Sequence, residues 1–145
     1  MIASFEHNFI FLKTRKVGGT SLEIVLSSWC GEEDICTPLL PEDEATREAY
    51  GGKARNYLAP DGSERFTNHM LGSEVRSELP ELWNKAFKFT VERHPYEKVI
   101  SRAWWEIGRR GGSPDELARE IEYTIDARTY VDCPIYCSRS ELLVD

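Results

Sequence analysis

The stretch "FLKTRKVGGTSLEIV", residues 11–25, sets three cations (Lys13, Arg15, Lys16) before two glycines, two hydroxyls and an apolar run. Upstream, residues 7–12 (HNFIFL) are rich in strand formers and read as a short buried strand. Downstream, residues 20–29 read as a helix, with Leu22, Val25, Leu26 and Trp29 at the spacing of one apolar face. Residues 13–19 are then a strand-to-helix loop, whose backbone N–H groups converge where the helix dipole favours an anion. Gly18 and Gly19 permit close approach, Thr20 and Ser21 add hydroxyl donors, and Lys16 adds full charge. These features suit a phosphate or sulfate. The competing reading is a glycine-rich turn whose basic residues are merely solvated.

Working outward, residues 87–91 (FKFTV) form a second strand signal that stops at Arg93-His94-Pro95. A helix opens at Pro95, with an apolar stripe of Tyr96, Val99, Ile100, Ala103, Trp104 and Ile107, and ends at Gly111-Gly112. On that stripe Trp104 reads as core; Trp105 fits either the core or a sugar platform. A third helix begins at Ser113, with Pro114 at its first position, Glu116 closing a capping box, and Leu117, Ile121 and Ile125 as its buried face. Residues 73–83 read as helical pieces broken by Pro80, residues 130–136 as a last strand, and residues 32–66 show no clear periodicity. Strands alternating with helices predict an α/β fold with a mostly parallel central sheet flanked by helices, as one domain over residues 1–145.

The bulk composition narrows the function classes. A net charge of −7 argues against a general nucleic-acid binder. Residues 32–48 hold seven acids and one arginine and read as a solvated loop or exposed helix face. No apolar run approaches a membrane span, and residues 1–6 lack a signal-peptide layout, so the expected address is cytoplasmic, without a membrane partner. That address predicts reduced thiols for Cys30, Cys36, Cys133 and Cys137. Cys133-x3-Cys137 is at most half a zinc site, and no histidine lies near either pair, so no metal site is assigned.

A second anion grip lies in "ERHPYEKVISRAWWE". Arg93 ends a predicted strand, the edge where open α/β sheets collect ligands. Ser101, six residues into the following helix, sits about 9 Å along its axis, within reach of an arginine fork. With both segments in view, Lys16-Val17-Gly18-Gly19-Thr20-Ser21 resembles the 5′-phosphosulfate loop of sulfotransferases that use 3′-phosphoadenosine-5′-phosphosulfate (PAPS). Residues 93–101 resemble their 3′-phosphate motif, R-x-P-x-x-[RK]-x-x-S. The branch with carbohydrate sulfotransferases is the more similar. The resemblance covers residues 8–29 and 66–105 well, 130–142 weakly, and 31–65 hardly at all.

That resemblance implies a nucleotide-kinase-like, P-loop-like fold and metal-free transfer of a sulfuryl group from PAPS to a hydroxyl of a sugar or small metabolite, leaving adenosine 3′,5′-bisphosphate. It implies that Lys16 meets the bridging oxygen of the leaving phosphate. Gly18, Gly19, Thr20 and Ser21 hold the 5′-phosphate, and Arg93 and Ser101 the 3′-phosphate. Arg15 stands where many relatives have proline, a departure that either alters the loop entry or adds a sulfate contact. Relatives are usually longer and contribute later residues over the adenine.

Transfer to an alcohol also needs a base. His7 reads as a surface residue beside a strand and His94 as a helix cap. His69, between the two phosphate motifs, matches by resemblance a segment in which relatives place a catalytic histidine; the alternative is a structural loop histidine. Glu92 reads as a partner for a neighbouring cation, and Glu23 as facing solvent. Two alternatives stand beside the sulfotransferase: a shortened nucleotide-binding module without turnover, and a P-loop kinase or NTPase. The latter would need G-x-x-x-x-G-K-[ST], which is absent.

Overall fold

The computed structural model describes residues 1–139 and 141–145. The element order is β1 (Ile2–Ser4), β2 (Phe9–Phe11), α1 (Gly19–Ser27), β3 (Ile35–Cys36), α2 (Pro41–Ala49), α3 (Gly72–Glu78), α4 (Pro80–Lys85), β4 (Phe87–Phe89), α5 (Pro95–Arg110), a 3-10 turn (Pro114–Glu116), α6 (Leu117–Asp126), α7 (Cys133–Tyr136), β5 (Cys137–Ser138) and β6 (Glu141–Leu142). The main sheet runs β3-β1-β2-β4 and β5-β6 form a separate hairpin. The chain is an α/β fold with helices on both faces of a mixed sheet.

The sheet corrects the expectation of a mostly parallel one. Among the described residues only β2 and β4 pair in parallel, with Phe9 opposite Phe87 and Phe11 opposite Phe89. β1 runs antiparallel to both β2 and β3. The cause is loop length: residues 5–8 are too few for a parallel crossover, so β1 and β2 must form a hairpin. Asn8 takes a left-handed backbone (φ 53) in that turn. Asp34 braces it, its carboxylate accepting from the Ser4 hydroxyl at 2.8 Å and the Phe5 amide at 2.6 Å. Asp34 is therefore a buried member of the acidic run that was expected to be solvated, whereas Glu42, Asp43 and Glu44 occupy the first turn of α2.

Side-chain alternation sends Ile2 and Phe11 to one face, against Leu26 of α1, Cys30 and Cys36. Ala3, Ile10 and Leu12 go to the other, under Val75 of α3, Leu82 and Trp83 of α4 and Ile135 of α7. The break at Pro80 falls where expected, between α3 and α4.

Three apolar faces are turned from their expected positions. In α1, Glu23, Ile24, Leu26 and Ser27 are buried while Val25 is exposed, and Trp29, exposed as well, lies beyond the end of the helix. Glu23 does not face solvent; an inward ion pair with Lys13 fixes the helix rotation. In α5 the buried residues are Lys98, Val99, Ala103 and Ile107, whereas Tyr96, Ile100 and Trp104 lie exposed. Trp104 is thus not core, because α5 buries only a narrow seam. In α6, Glu120 and Thr124 are buried and Ile125 is exposed, with Glu120 paired to Arg110 at 2.8 Å.

The strand expected at residues 130–136 is instead the helix α7 followed by β5. Pro134 lacks the amide that a ladder needs and suits a first helical turn. The capping box at Ser113 forms as expected, with Glu116 accepting from the Ser113 amide at 2.8 Å. Among the described residues no helix is long and apolar enough to cross a membrane.

Candidate functional site

The chain leaves β2 and enters α1 through residues 12–18. Lys16 (φ 59) and Gly18 (φ 77, ψ 17) both take left-handed backbone there. For Gly18 this costs little; for Lys16 it is strain that the surroundings must hold. The first-turn amides of α1 lack intrahelical partners and point out of this loop. Gly19 is buried against the stem of Lys13, and a Cβ there would meet Lys13 Cγ at 3.0 Å.

Lys13 is the pillar under the loop. Its Nζ donates to Glu23 Oε2 at 2.6 Å and to the Thr20 hydroxyl at 3.1 Å. The Met1 amino group reaches the other Glu23 oxygen at 2.5 Å. Thr20 therefore already has one partner beneath it, while Ser21 is exposed.

A cleft of about 480 Å³ opens above the loop. Lys13 to Lys16, Gly18, Gly19 and Thr20 form its floor; Leu39, Leu40 and Asp43, at the start of α2, one wall; Asn68 and His69 another; Arg102 and Trp105 of α5 close it. It joins Lys16, the glycines, Thr20, Arg15 and His69 from the predicted set. Ser21, Arg93 and Ser101 do not line it.

Arg15 is committed elsewhere. Its guanidinium meets Asp132 Oδ1 at 2.6 Å and its amide donates to Asp132 Oδ2 at 2.6 Å. Lys98 joins the same carboxylate at 2.8 Å and also meets Glu92 at 2.9 Å. Asp132 thereby ties the loop to the start of α5, and Glu92 pairs with a neighbouring cation as expected. Arg93 lies exposed, paired with Glu97 at 2.9 Å across one helical turn. Solvent and salt weaken such a pair, so it yields readily to a stronger anion.

His69 accepts a definite role from its surroundings. Its Nδ1 lies 2.9 Å from the Lys13 carbonyl oxygen, which can only accept, so Nδ1 carries the proton. In the neutral ring Nε2 is then the free lone pair. Burial lowers the His69 pKa, the Lys13 carbonyl opposes this, and the charges of Arg15 and Lys13 lower it further. The remaining histidines stay outside the cleft. His7 is exposed and bonds the Trp29 carbonyl at 2.9 Å, while His94 takes the N-cap position of α5 without a side-chain cap bond.

Lys16 is half-buried, and burial lowers its pKa first. The positive charge of Arg102 lowers it further, Glu106 opposes, and Arg93 also lowers it. Arg93 thus acts on Lys16 through space, although it does not line the cleft. The Lys16 ammonium stands over the Trp105 ring, 5.2 Å from its centroid.

No family model, curated protein or solved structure matches this chain.

Lys13, Arg102 and Trp105 are cleft residues whose roles the sequence pattern did not assign. Lys13 gave no signal of its role, because the apolar periodicity of α1 turns Glu23, its buried partner, toward solvent. Arg102 directly follows Ser101, but nothing in its spacing distinguishes it from Arg109 or Arg110. All four cysteines are free, and among the described residues no group of three or more His, Cys, Asp or Glu is placed to hold a metal ion.

Proposed function

We propose that this chain is a sulfotransferase-type enzyme that moves a sulfuryl group from PAPS to a hydroxyl acceptor by in-line displacement, within a P-loop-like sulfotransferase fold. The observation that carries the reading is one cleft in which a glycine loop, an ammonium and a neutral imidazole converge. PAPS would supply an activated sulfuryl group bonded through oxygen to the 5′-phosphate. The amides of Gly18, Gly19 and Thr20 would hold that phosphate, and Lys16 would neutralise charge growing on its bridging oxygen. His69 Nε2 would take the proton of the acceptor hydroxyl as the new S–O bond forms and the old one breaks. Arg93 and Ser101 would hold the 3′-phosphate, with Arg93 exchanging Glu97 for it. Arg15, held by Asp132, would serve mainly to fix the loop. The free cysteines suit the reducing cytoplasm proposed as its setting.

Arg93 and Ser101 lie outside the cleft, which weighs against their grip on a 3′-phosphate rather than against turnover. The second reading is a nucleotide-binding module that does not turn over. Calorimetry addresses the ligand in both readings. Adenosine 3′,5′-bisphosphate is expected to bind without magnesium and more tightly than ATP. ATP binding equally tight and magnesium-dependent would favour a kinase or NTPase instead. A sulfuryl-transfer assay over a panel of alcohols then separates enzyme from module.

The pH profile tests the two titrating groups. The base form of His69 persists below its ordinary value of 6.5, so the acid limb of the transfer rate is expected below pH 6.5. The acid form of Lys16 is lost below its ordinary 10.5, so the alkaline limb falls below pH 10.5. His69→Gln is expected to slow transfer about 10²-fold and erase the acid limb, with bisphosphate affinity unchanged. An acid limb that survives in His69→Gln removes it as the base.

A further inference from the structure

Lys16 is charged, half-buried and held in a left-handed backbone, yet among the described residues no carboxylate reaches it within ion-pair distance. The acid whose field favours its charge, Glu106, is already taken by Arg102 at 2.5 Å and Arg109 at 3.0 Å. Beneath the ammonium lies the Trp105 ring. The same ring meets Arg102 at 4.8 Å and Arg109 at 5.8 Å. Trp105 is 42% exposed, so its position is not that of a core residue.

An aromatic partner and an acidic one would affect binding differently. A carboxylate beside Lys16 would hold it but neutralise it, and an incoming anion would have to displace that acid. An aromatic face attracts the ammonium through its quadrupole and leaves the positive charge undiminished on the other side. Preorganisation of that kind removes side-chain ordering from the cost of binding.

We infer that Trp105 is a positioning residue that holds Lys16 in the cleft, charged and un-neutralised, ready for a phosphate or sulfate group. The inference rests on Lys16 being an anion ligand, as in the function proposed above, but not on PAPS being the donor. The ring stays under the ammonium when the anion arrives from the loop side, so the contact persists in the bound state.

Nuclear magnetic resonance on protein with 13C-labelled lysine tests this, with Lys16→Ala assigning the signal. The Lys16 ε-methylene is expected upfield of the other lysines in the free protein, from the ring current of Trp105, and to remain so with inorganic sulfate bound. Trp105→Leu is expected to abolish the displacement and weaken sulfate binding about fivefold, while Trp105→Phe stays within about twofold of the parent. An undisplaced signal, sulfate binding unchanged in Trp105→Leu, phenylalanine no better than leucine, or a parent protein that does not bind sulfate would each overturn the inference. If all these tests succeed but the bisphosphate does not bind, the inference stands and the PAPS reading falls. If the bisphosphate binds and transfer proceeds with Lys16 undisplaced, the reverse holds.

Discussion

Lys16→Ala is expected to slow sulfuryl transfer by about 10²–10³-fold, measured in single turnover with saturating PAPS, while leaving the fold intact. The size comes from the environment. The ammonium is partly desolvated, feels the positive charges of Arg102 and Arg93 and has no acid at ion-pair distance, so much of its field falls on a developing anion. A second variant separates charge from backbone. Lys16 occupies left-handed space at φ 59, which glycine enters without a Cβ penalty. Lys16→Gly should therefore be as inactive as Lys16→Ala but more stable than it by about 1 kcal/mol in urea denaturation. Transfer within a few-fold of the parent in either variant would remove Lys16 from the chemistry and, with it, the sulfotransferase reading.

The parts of the molecule legible in the sequence are those where a residue type makes a local backbone demand. Gly18-Gly19 ends the loop and opens α1; Pro95 opens α5; Gly111 closes it in left-handed conformation at φ 67; Ser113 and Glu116 cap the 3-10 turn that leads into α6. The parts that stayed hidden depend on contacts distant in sequence. β1 is three residues long and exists because β2 and β3 flank it. The rotation of α1 is set by Lys13 beneath Glu23, which apolar periodicity alone reads wrongly by placing Val25 inside. Residues 31–65 are held by side chains clasping backbone: Arg55 donates to the Gly31 carbonyl at 2.6 Å and Asn56 to the Glu32 carbonyl at 2.7 Å. Such bonds leave no period. The cleft divides in the same way, its loop evident from glycine and lysine spacing, its α5 wall dependent on how that helix packs.

The largest stability effect is expected at that hidden pair. Glu23 and Lys13 have almost no exposed side-chain surface, at 0% and 6%, and meet at 2.6 Å. Glu23→Ala strands both the Lys13 ammonium and the Met1 amino group in the interior and is expected to cost about 3–5 kcal/mol, read as a fall in the urea midpoint. Burial shields the pair from counterions, so this loss should barely change between low and high salt. Lys13→Met with Glu23→Leu removes both charges of the pair and refills the space, but leaves the buried Met1 amino group without its acid, so it should recover only part of the stability. The double variant then tests function on an intact fold. Lys13 supports Thr20 by a hydrogen bond at 3.1 Å and packs its stem against Gly19, so the cradle depends on more than the pair's net energy. If the double variant regains stability yet binds the bisphosphate more weakly, the buried pair shapes the anion site as well as the core. A loss below about 1 kcal/mol in Glu23→Ala would mean that the interior relaxes around Lys13, and that something other than this pair sets the rotation of α1.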